Sequence, residues 1–430
     1  MALLQKIYLD YAATTPVDPA VLRAMRPYFS EKFGNAGSLH SFGQEAMAAL
    51  DKSREIVAAS IGADFREIIF TGSATEANNL VLRGVVARSL IANRRLSTPR
   101  IIVSSIEHES VLETARDLEK EGIDVVYLLV DKTGLIDLKK LEASLDENTV
   151  LVSVMYANNE IGTIQQVAAI AKIISDFRSQ SGAMPLFHTD ASQAFQFLDC
   201  SVADLGVDLM TFSSHKIYGP KGAGALYLKD SGFRIQNSGG NKQKTPLNHE
   251  SLFINHGFLG PLLTGGGQEF GLRSGTENIP AIVGFAKAVE LLVNLNKLTS
   301  KDIANLRNEL WCGIKKICPK AEINGVSPAE APSAKRLAPL PNILNVYFPG
   351  REAQDLLTKF DLHGLAVSSG SACRARASLS SYVIEAMGYP KERSRSSVRF
   401  SLGRPTTKEE ITQTLRIMKG IIIGNRGKRR

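Results

Sequence analysis

The sequence predicts an α/β fold, a large domain built on a mainly parallel seven-stranded sheet covered by helices, with a smaller α+β domain beside it. Three observations carry that prediction. Seven short apolar, β-branched runs recur between residues 68 and 228. They are continuous rather than alternating, as strands covered on both faces must be. Stretches of helical period lie between several of them, and after residue 300 the texture changes to mixed helix and strand.

In chain order, strands are expected at Ile68–Thr71, Ile101–Ser105, Val125–Val130, Val150–Met155, Leu186–Thr189, Leu209–Ser213 and Ala223–Leu228. Helices are expected at Glu76–Arg88, Ser110–Lys120 and Gln166–Gln180. No period of 20–50 residues is present, so the chain is not a repeat array. The segment Asn237–Leu263 has no periodicity and is rich in Gly, Asn, Lys and Pro, the texture of a functional loop or an insertion. A helix over Asp302–Ile317 and a Pro/Ala-rich connection, Ser327–Pro341, follow. Then come a strand Ile343–Tyr347, a helix Ala353–Phe360, a Ser/Gly loop holding Cys373, a strand Ser397–Ser401 and a last helix from Lys408. The expected division is a large domain, 16–297, carrying the insertion around 237–263, and a small domain from 1–15 and 298–430.

Composition narrows the class. With 44% apolar and 22% charged residues, the 430-residue chain is an ordinary soluble globular protein. The longest apolar runs, Ile282–Val293 and Ile417–Ile423, are interrupted by charge or too short to cross a membrane. Met1–Lys6 lead straight into a strand-like run, leaving no room for a secretory signal, and a cytoplasmic location is expected. Four cysteines (Cys200, Cys312, Cys318, Cys373) are too few and scattered for a disulfide framework or a zinc site. The net charge of +8 concentrates late, in residues such as Arg374, Arg376 and the tail Arg426–Arg430. It reads as a solvated basic face; with no nucleic-acid-binding module beside it, direct nucleic-acid binding is not expected.

Several strands end in reactive residues. Ile101–Ser105 leads to Glu107 and His108, Leu151–Tyr156 to Asn158, Leu186–Thr189 to Asp190 and Gln193, and Leu209–Phe212 to Ser213, His215 and Lys216. In open α/β sheets ligands bind beyond the carboxyl ends of the strands. An imidazole, an amide, a carboxylate and an amine can therefore meet in one crevice. Each alone has a bland reading: a helix cap, a turn residue, a surface lysine. Four in succession favour a shared site. Gly72-Ser73-Ala74-Thr75 closes a strand and opens a helix, a place suited to a phosphate. Neither a nucleotide P-loop nor a dinucleotide fingerprint is present. An amine for a Schiff base, a carboxylate for a pyridinium nitrogen and a phosphate cup together specify pyridoxal 5'-phosphate.

Seven stretches carry a resemblance: Tyr8–Pro16, Thr71–Asn79, His188–Gln193, Ser213–Lys216, Gly265–Glu269 with Arg273–Thr276, Ser368–Cys373 and Val398–Arg404. In this order they resemble the cysteine desulfurases of the NifS/IscS type, fold-type I pyridoxal-phosphate enzymes of the class V aminotransferase family. The resemblance implies that Lys216 carries the cofactor as a Schiff base, that Asp190 pairs with the pyridinium nitrogen, and that Gln193 contacts the phenolic oxygen. His108 would stack on the ring and assist proton transfer. Thr75, Ser213 and His215, with the Ala74 and Thr75 amides, would hold the phosphate. Thr276 would reach the phosphate of a second subunit, implying a homodimer. Asn158 and Arg399 would hold L-cysteine, Arg399 by its carboxylate, with Asn35 a weaker candidate for the same group. Cys373 would accept the sulfur as a persulfide, leaving alanine, and pass it to an iron–sulfur scaffold or another acceptor. No resident metal is implied; an iron–sulfur cluster would meet Cys373 only transiently, through the scaffold. A selenocysteine lyase or an aminotransferase on the same fold, and a non-catalytic scaffold, are the competing readings. The segment after Tyr227-Leu228 is longer than the family pattern by about twenty residues, more than an ordinary loop connection.

Overall fold

The computed structural model describes residues 6–92, 98–182, 184–229, 258–327, 337–370 and 380–424. Its strands are β1 (Ile7–Tyr8), β2 (Ile68–Thr71), β3 (Arg100–Ser104), β4 (Asp124–Leu128), β5 (Thr149–Ser153), β6 (Leu186–Asp190), β7 (Leu209–Ser213), β8 (Gly224–Leu228), β9 (Glu322–Ile323), β10 (Ile343–Tyr347), β11 (Leu365–Ala366) and β12 (Ser397–Ser401). The seven-stranded sheet runs β2-β8-β7-β6-β5-β3-β4. Strands β3 to β7 pair in parallel, and β8 runs antiparallel between β7 and β2.

The continuous runs are buried because both faces of this sheet are covered. Ile68, Phe70, Val152, Phe187 and Met210 belong to one core, with the helices Ser41–Ala59 and Val167–Ser181. Ile69, Ile101, Val103, Leu151 and Leu209 belong to the opposite core, with Ala74–Ala92 and Glu109–Lys120. Alternate residues of a strand thus serve different layers, so apolar residues recur at consecutive positions, and the polar exceptions inside the strands, such as His188 and Thr211, are buried and hydrogen-bonded to each other.

A third core gathers Ile7 and Leu9 with residues spread from Ile303 to Ile422, around the antiparallel sheet β12-β10-β9 and the parallel pair β1-β11. The helix expected from Asp302 instead runs unbroken from Ile279 to Ile317, so the boundary at 297/298 falls inside it. Pro280 at its first turn and the Asn278 cap fix its start.

Of the segment Asn237–Leu263, residues 237–257 lie outside the described residues. Its end differs from expectation. Leu259 is buried in the second core, and Gly260 N donates to Gly84 O at 3.0 Å. Gly84 has no room for a side chain there, since a Cβ would meet Gly260 O at 2.5 Å. The described end of the segment, from Phe258 on, is therefore packed into the large domain. Phe258 and Leu259 stand in a stretch without periodicity, so the sequence gives no signal of this packing.

Candidate active site

The carboxyl ends of β5, β6 and β7 open on one cavity of about 210 Å³. It is lined by Ala74, Thr75, His108, Asp190, Gln193, Ser213, His215, Lys216 and Arg399, all expected there, by Ser73 of the expected phosphate cup, and by Ala12, Ala13, Ser110, Met155, Ala157, Asn159 and Ser192, which had no expected role.

The cup forms where β2 ends and the helix Ala74–Ala92 begins. Gly224 of β8 lies so close beneath it that a Cβ would meet the Ser73 carbonyl carbon at 2.7 Å and Ala74 N at 2.9 Å. Glu76 braces the turn by accepting from Gly72 N at 2.9 Å and from Arg273 Nε at 2.8 Å. The motif Gly265–Thr276 is tied to β2 by a buried pair. Arg54 donates to both oxygens of Glu269, at 2.7 and 2.8 Å, and Phe70 N donates to the same carboxylate. Thr276 itself is exposed and does not line the cavity.

Asp190 closes β6 and is 5% exposed. Its carboxylate accepts from Ser192 N at 2.9 Å and from Asn78 Nδ2 at 2.8 Å. Asn78 also donates to Ser110 Oγ, which lies 2.9 Å from His108 Nδ1. The Ser110 backbone N–H, which can only donate, points at that same Nδ1 at 3.1 Å. Nδ1 is therefore unprotonated and the ring proton sits on Nε2. Burial holds His108 below the ordinary histidine range, partly opposed by Asp190. Below Asp190, His188 spans Ser153 and Thr211 at 2.8 and 3.0 Å, fully buried, its pKa pulled down to about 4 by burial.

Lys216 follows β7 in a single tight turn, Ser214–Lys216. Its Nζ donates to the carbonyls of Ala12 and Ala13 at 2.5 and 2.8 Å, and Gln193 Nε2 donates to Ala12 O at 2.9 Å. His215 Nδ1 lies 3.0 Å from Thr14 Oγ1, and burial together with Lys216 pulls its pKa down to about 4. The N-terminal strap Asp10–Thr15 thus lies directly across the lysine.

Two expected residues fall elsewhere. Asn158 is fully buried but turned into its own loop. Its Nδ2 donates to Ile106 O at 3.0 Å, and its Oδ1 accepts from Glu160 N and Ile161 N. The cavity is lined instead by Asn159, whose buried Oδ1 has no partner among the described residues. A strand-end Asn-Asn pair shows that an amide is available but not which one faces in, because the two-residue alternation of a strand lapses in the turn. Asn35 is exposed, with its Oδ1 capping Gly37 N at 2.9 Å, away from the cavity. Asn78, which holds Asp190, was not expected; the signal that could have found it is its place four residues after Ala74 on one helix face. Cys373 lies outside the described residues. Five residues before it, Ser368 exchanges backbone hydrogen bonds with Arg399, at 3.1 and 2.6 Å. Five residues reach at most about 17 Å.

The donor set fits pyridoxal phosphate. A helix N-terminus with Ser213 and His215 meets a dianion, a braced carboxylate meets a pyridinium proton, and an amine meets an aldehyde.

Glu107, one residue before His108, is a fully buried carboxyl behind the cavity lining. Oε1 accepts from Ser104 Oγ and Met155 N at 2.6 and 2.7 Å, while Oε2 has no partner among the described residues. Burial, with Asp190 nearby, pushes its pKa up to about 8. The folded chain therefore keeps a proton that the unfolded chain loses near pH 4.5. Its contribution is complete below that pH and is lost as pH rises toward 8, by about 1.4 kcal/mol per unit. Glu107→Gln should flatten the fall of the melting temperature between pH 6 and 8; calorimetry showing the wild-type slope in the variant would refute this.

Residues 7–414 match the aminotransferase class-V family. The chain is 39% identical over 420 residues to the cysteine desulfurase IscS of Dictyoglomus turgidum, covering 97% of this chain and 95% of that one. It is 41% identical over 417 residues to the cysteine desulfurase IscS of Escherichia coli, covering 96% and 92%. A solved NifS-like protein superposes with a TM-score of 0.81 at 34% identity, over 98% of this chain and 100% of that one.

Proposed function

The chain belongs to the aminotransferase class-V family and is a pyridoxal-phosphate-dependent cysteine desulfurase, and from that premise we propose that Lys216 carries the cofactor, Arg399 takes the carboxylate of L-cysteine and Cys373 accepts the sulfur. The supporting observation is the convergence of Lys216, Asp190, His108 and Arg399 on one cavity.

Bound pyridoxal phosphate supplies an electron-withdrawing ring that labilises bonds at the carbon bearing the substrate's amine. Asp190, held by Asn78 and Ser192, would pair with the protonated pyridine nitrogen. Neutral His108 presents an Nε2–H to the cavity. Lys216 would hold the cofactor through its amine and, with that amine free, would move protons at the substrate carbon. Asn159 takes the role expected of Asn158. The Cys373 thiolate attacks the substrate sulfur, so that an S–S bond forms as the C–S bond breaks, leaving alanine and a persulfide. Neighbouring Arg374 and Arg376 favour the thiolate.

The active unit is a homodimer in which the exposed Thr276 serves the phosphate cup of a second copy. The sulfur passes to an iron–sulfur scaffold or another acceptor protein in the cytoplasm. Among the described residues no helix is long and apolar enough to cross a membrane. The two-domain division, with residues 1–15 joining the C-terminal part, rests on the separate third core.

With L-cysteine and a thiol reductant, the purified protein should release alanine and sulfide in equal amounts. Pyruvate and ammonia as products, or a requirement for a 2-oxo acid acceptor, would overturn this reading.

A further inference from the structure

Arg399 is braced from two directions. Its Nη1 donates to the Asn159 carbonyl at 2.9 Å, and its Nη2 donates to Asp10 Oδ1 at 2.7 Å. The arginine side chain is 1% exposed and that of Asp10 19%. Arg399 Nε is buried and has no hydrogen-bond partner among the described residues. A guanidinium carries five N–H donors in one plane. Two braces fix that plane and leave Nε, together with the remaining Nη hydrogens, for a carboxylate, which takes such donors in pairs.

Asp10 is itself held in place. Its carbonyl accepts from Tyr8 OH and Ala13 N, both at 3.0 Å, and the next two residues, Tyr11 and Ala12, donate their backbone N–H groups to Ser401 O and Ser401 Oγ. Ser401 lies two residues beyond Arg399 on β12, on the same face. The carboxylate is thus referenced to the strand that carries the arginine. A buried cation without such a partner would be strongly unfavourable.

We propose that Asp10 is a positioning residue for substrate recognition. It orients Arg399 so that Nε meets the carboxylate of L-cysteine, and it balances the guanidinium between turnovers. This rests on the reading that Arg399 grips that carboxylate.

Steady-state kinetics and cofactor-absorbance titrations of the holoenzyme test it. Asp10→Ala should raise KM for L-cysteine by about 10-fold while kcat falls less than about 3-fold, the signature of lost binding common to ground and transition states. Asp10→Asn, which keeps an acceptor oxygen, should recover most of that loss. Titration with cysteamine, which lacks a carboxylate, should give the same affinity in Asp10→Ala and wild type. Arg399→Ala is the control, expected to weaken L-cysteine and spare cysteamine. If Arg399→Ala weakens both probes alike, the carboxylate grip is wrong. If that control is selective but Asp10→Ala leaves KM unchanged or weakens both probes, Asp10 does not position the arginine. Should Asp10→Ala fail to fold, Asp10→Glu displaces the brace by one methylene, and an unchanged KM would overturn the inference equally.

Discussion

Changing Cys373 to serine should abolish desulfuration, lowering alanine and persulfide formation by more than about 10³-fold. The cofactor should remain, with its absorbance still responding to added L-cysteine. The two halves separate because they use different chemistry. Cofactor binding draws on Lys216, Asp190 and the cup, whereas sulfur transfer needs an anionic nucleophile. A thiol with a pKa near 8.5 is a few per cent ionised at neutral pH, and a hydroxyl is essentially not ionised. The other cysteines are no substitute. Cys200 is buried and burial pushes its thiol up, while Cys312 is exposed and Cys318 half-buried on the long helix's last turns and its cap. Alanine at any of these three should leave activity largely intact. Mass spectrometry after brief exposure to L-cysteine should find the extra sulfur on the Cys373 peptide. Normal desulfuration by the serine variant would rule out Cys373 as acceptor.

Lys216→Ala should cost at least about 10⁴-fold in turnover, since it removes both the cofactor's attachment and the amine that moves protons. Some pyridoxal phosphate should still bind, because Ser213, His215 and the helix N-terminus are untouched. Its spectrum should be that of the free aldehyde. In the wild type, borohydride reduction followed by peptide mapping should fix the cofactor to Lys216, and a stable adduct on a different lysine would defeat the assignment.

Much of this was legible because burial on both sides leaves a mark in composition. All seven strands of the large sheet were expected within about two residues of their bounds, Ile68–Thr71 and Leu209–Ser213 without change. Sheet order was not legible: nothing local in Gly224–Leu228 says that it slots antiparallel between β7 and β2. The same contrast holds within the site. Lys216, Asp190 and His108 announce themselves as reactive side chains at strand ends. Ala12 and Ala13 contribute carbonyl groups, which every residue has, and only the fold selects them. Asn159 was hidden behind Asn158 because side-chain direction in a turn depends on hydrogen bonds, here those of Glu160 N and Ile161 N to Asn158.

The strap across Lys216 also sets an order of events during synthesis. Ala12 N bonds to Ser401 Oγ, 389 residues further along the chain, and Asp10 pairs with Arg399 across the same separation. At about 5–20 residues per second a ribosome needs roughly 20–80 s to bridge that gap. Once Leu228 has been made, in the later part of that interval, the lysine and the seven strands exist while the partners that anchor the strap do not. Until β12 emerges the strap has its partners around Lys216 but lacks those at Arg399 and Ser401, and the pocket that Arg399 lines is incomplete.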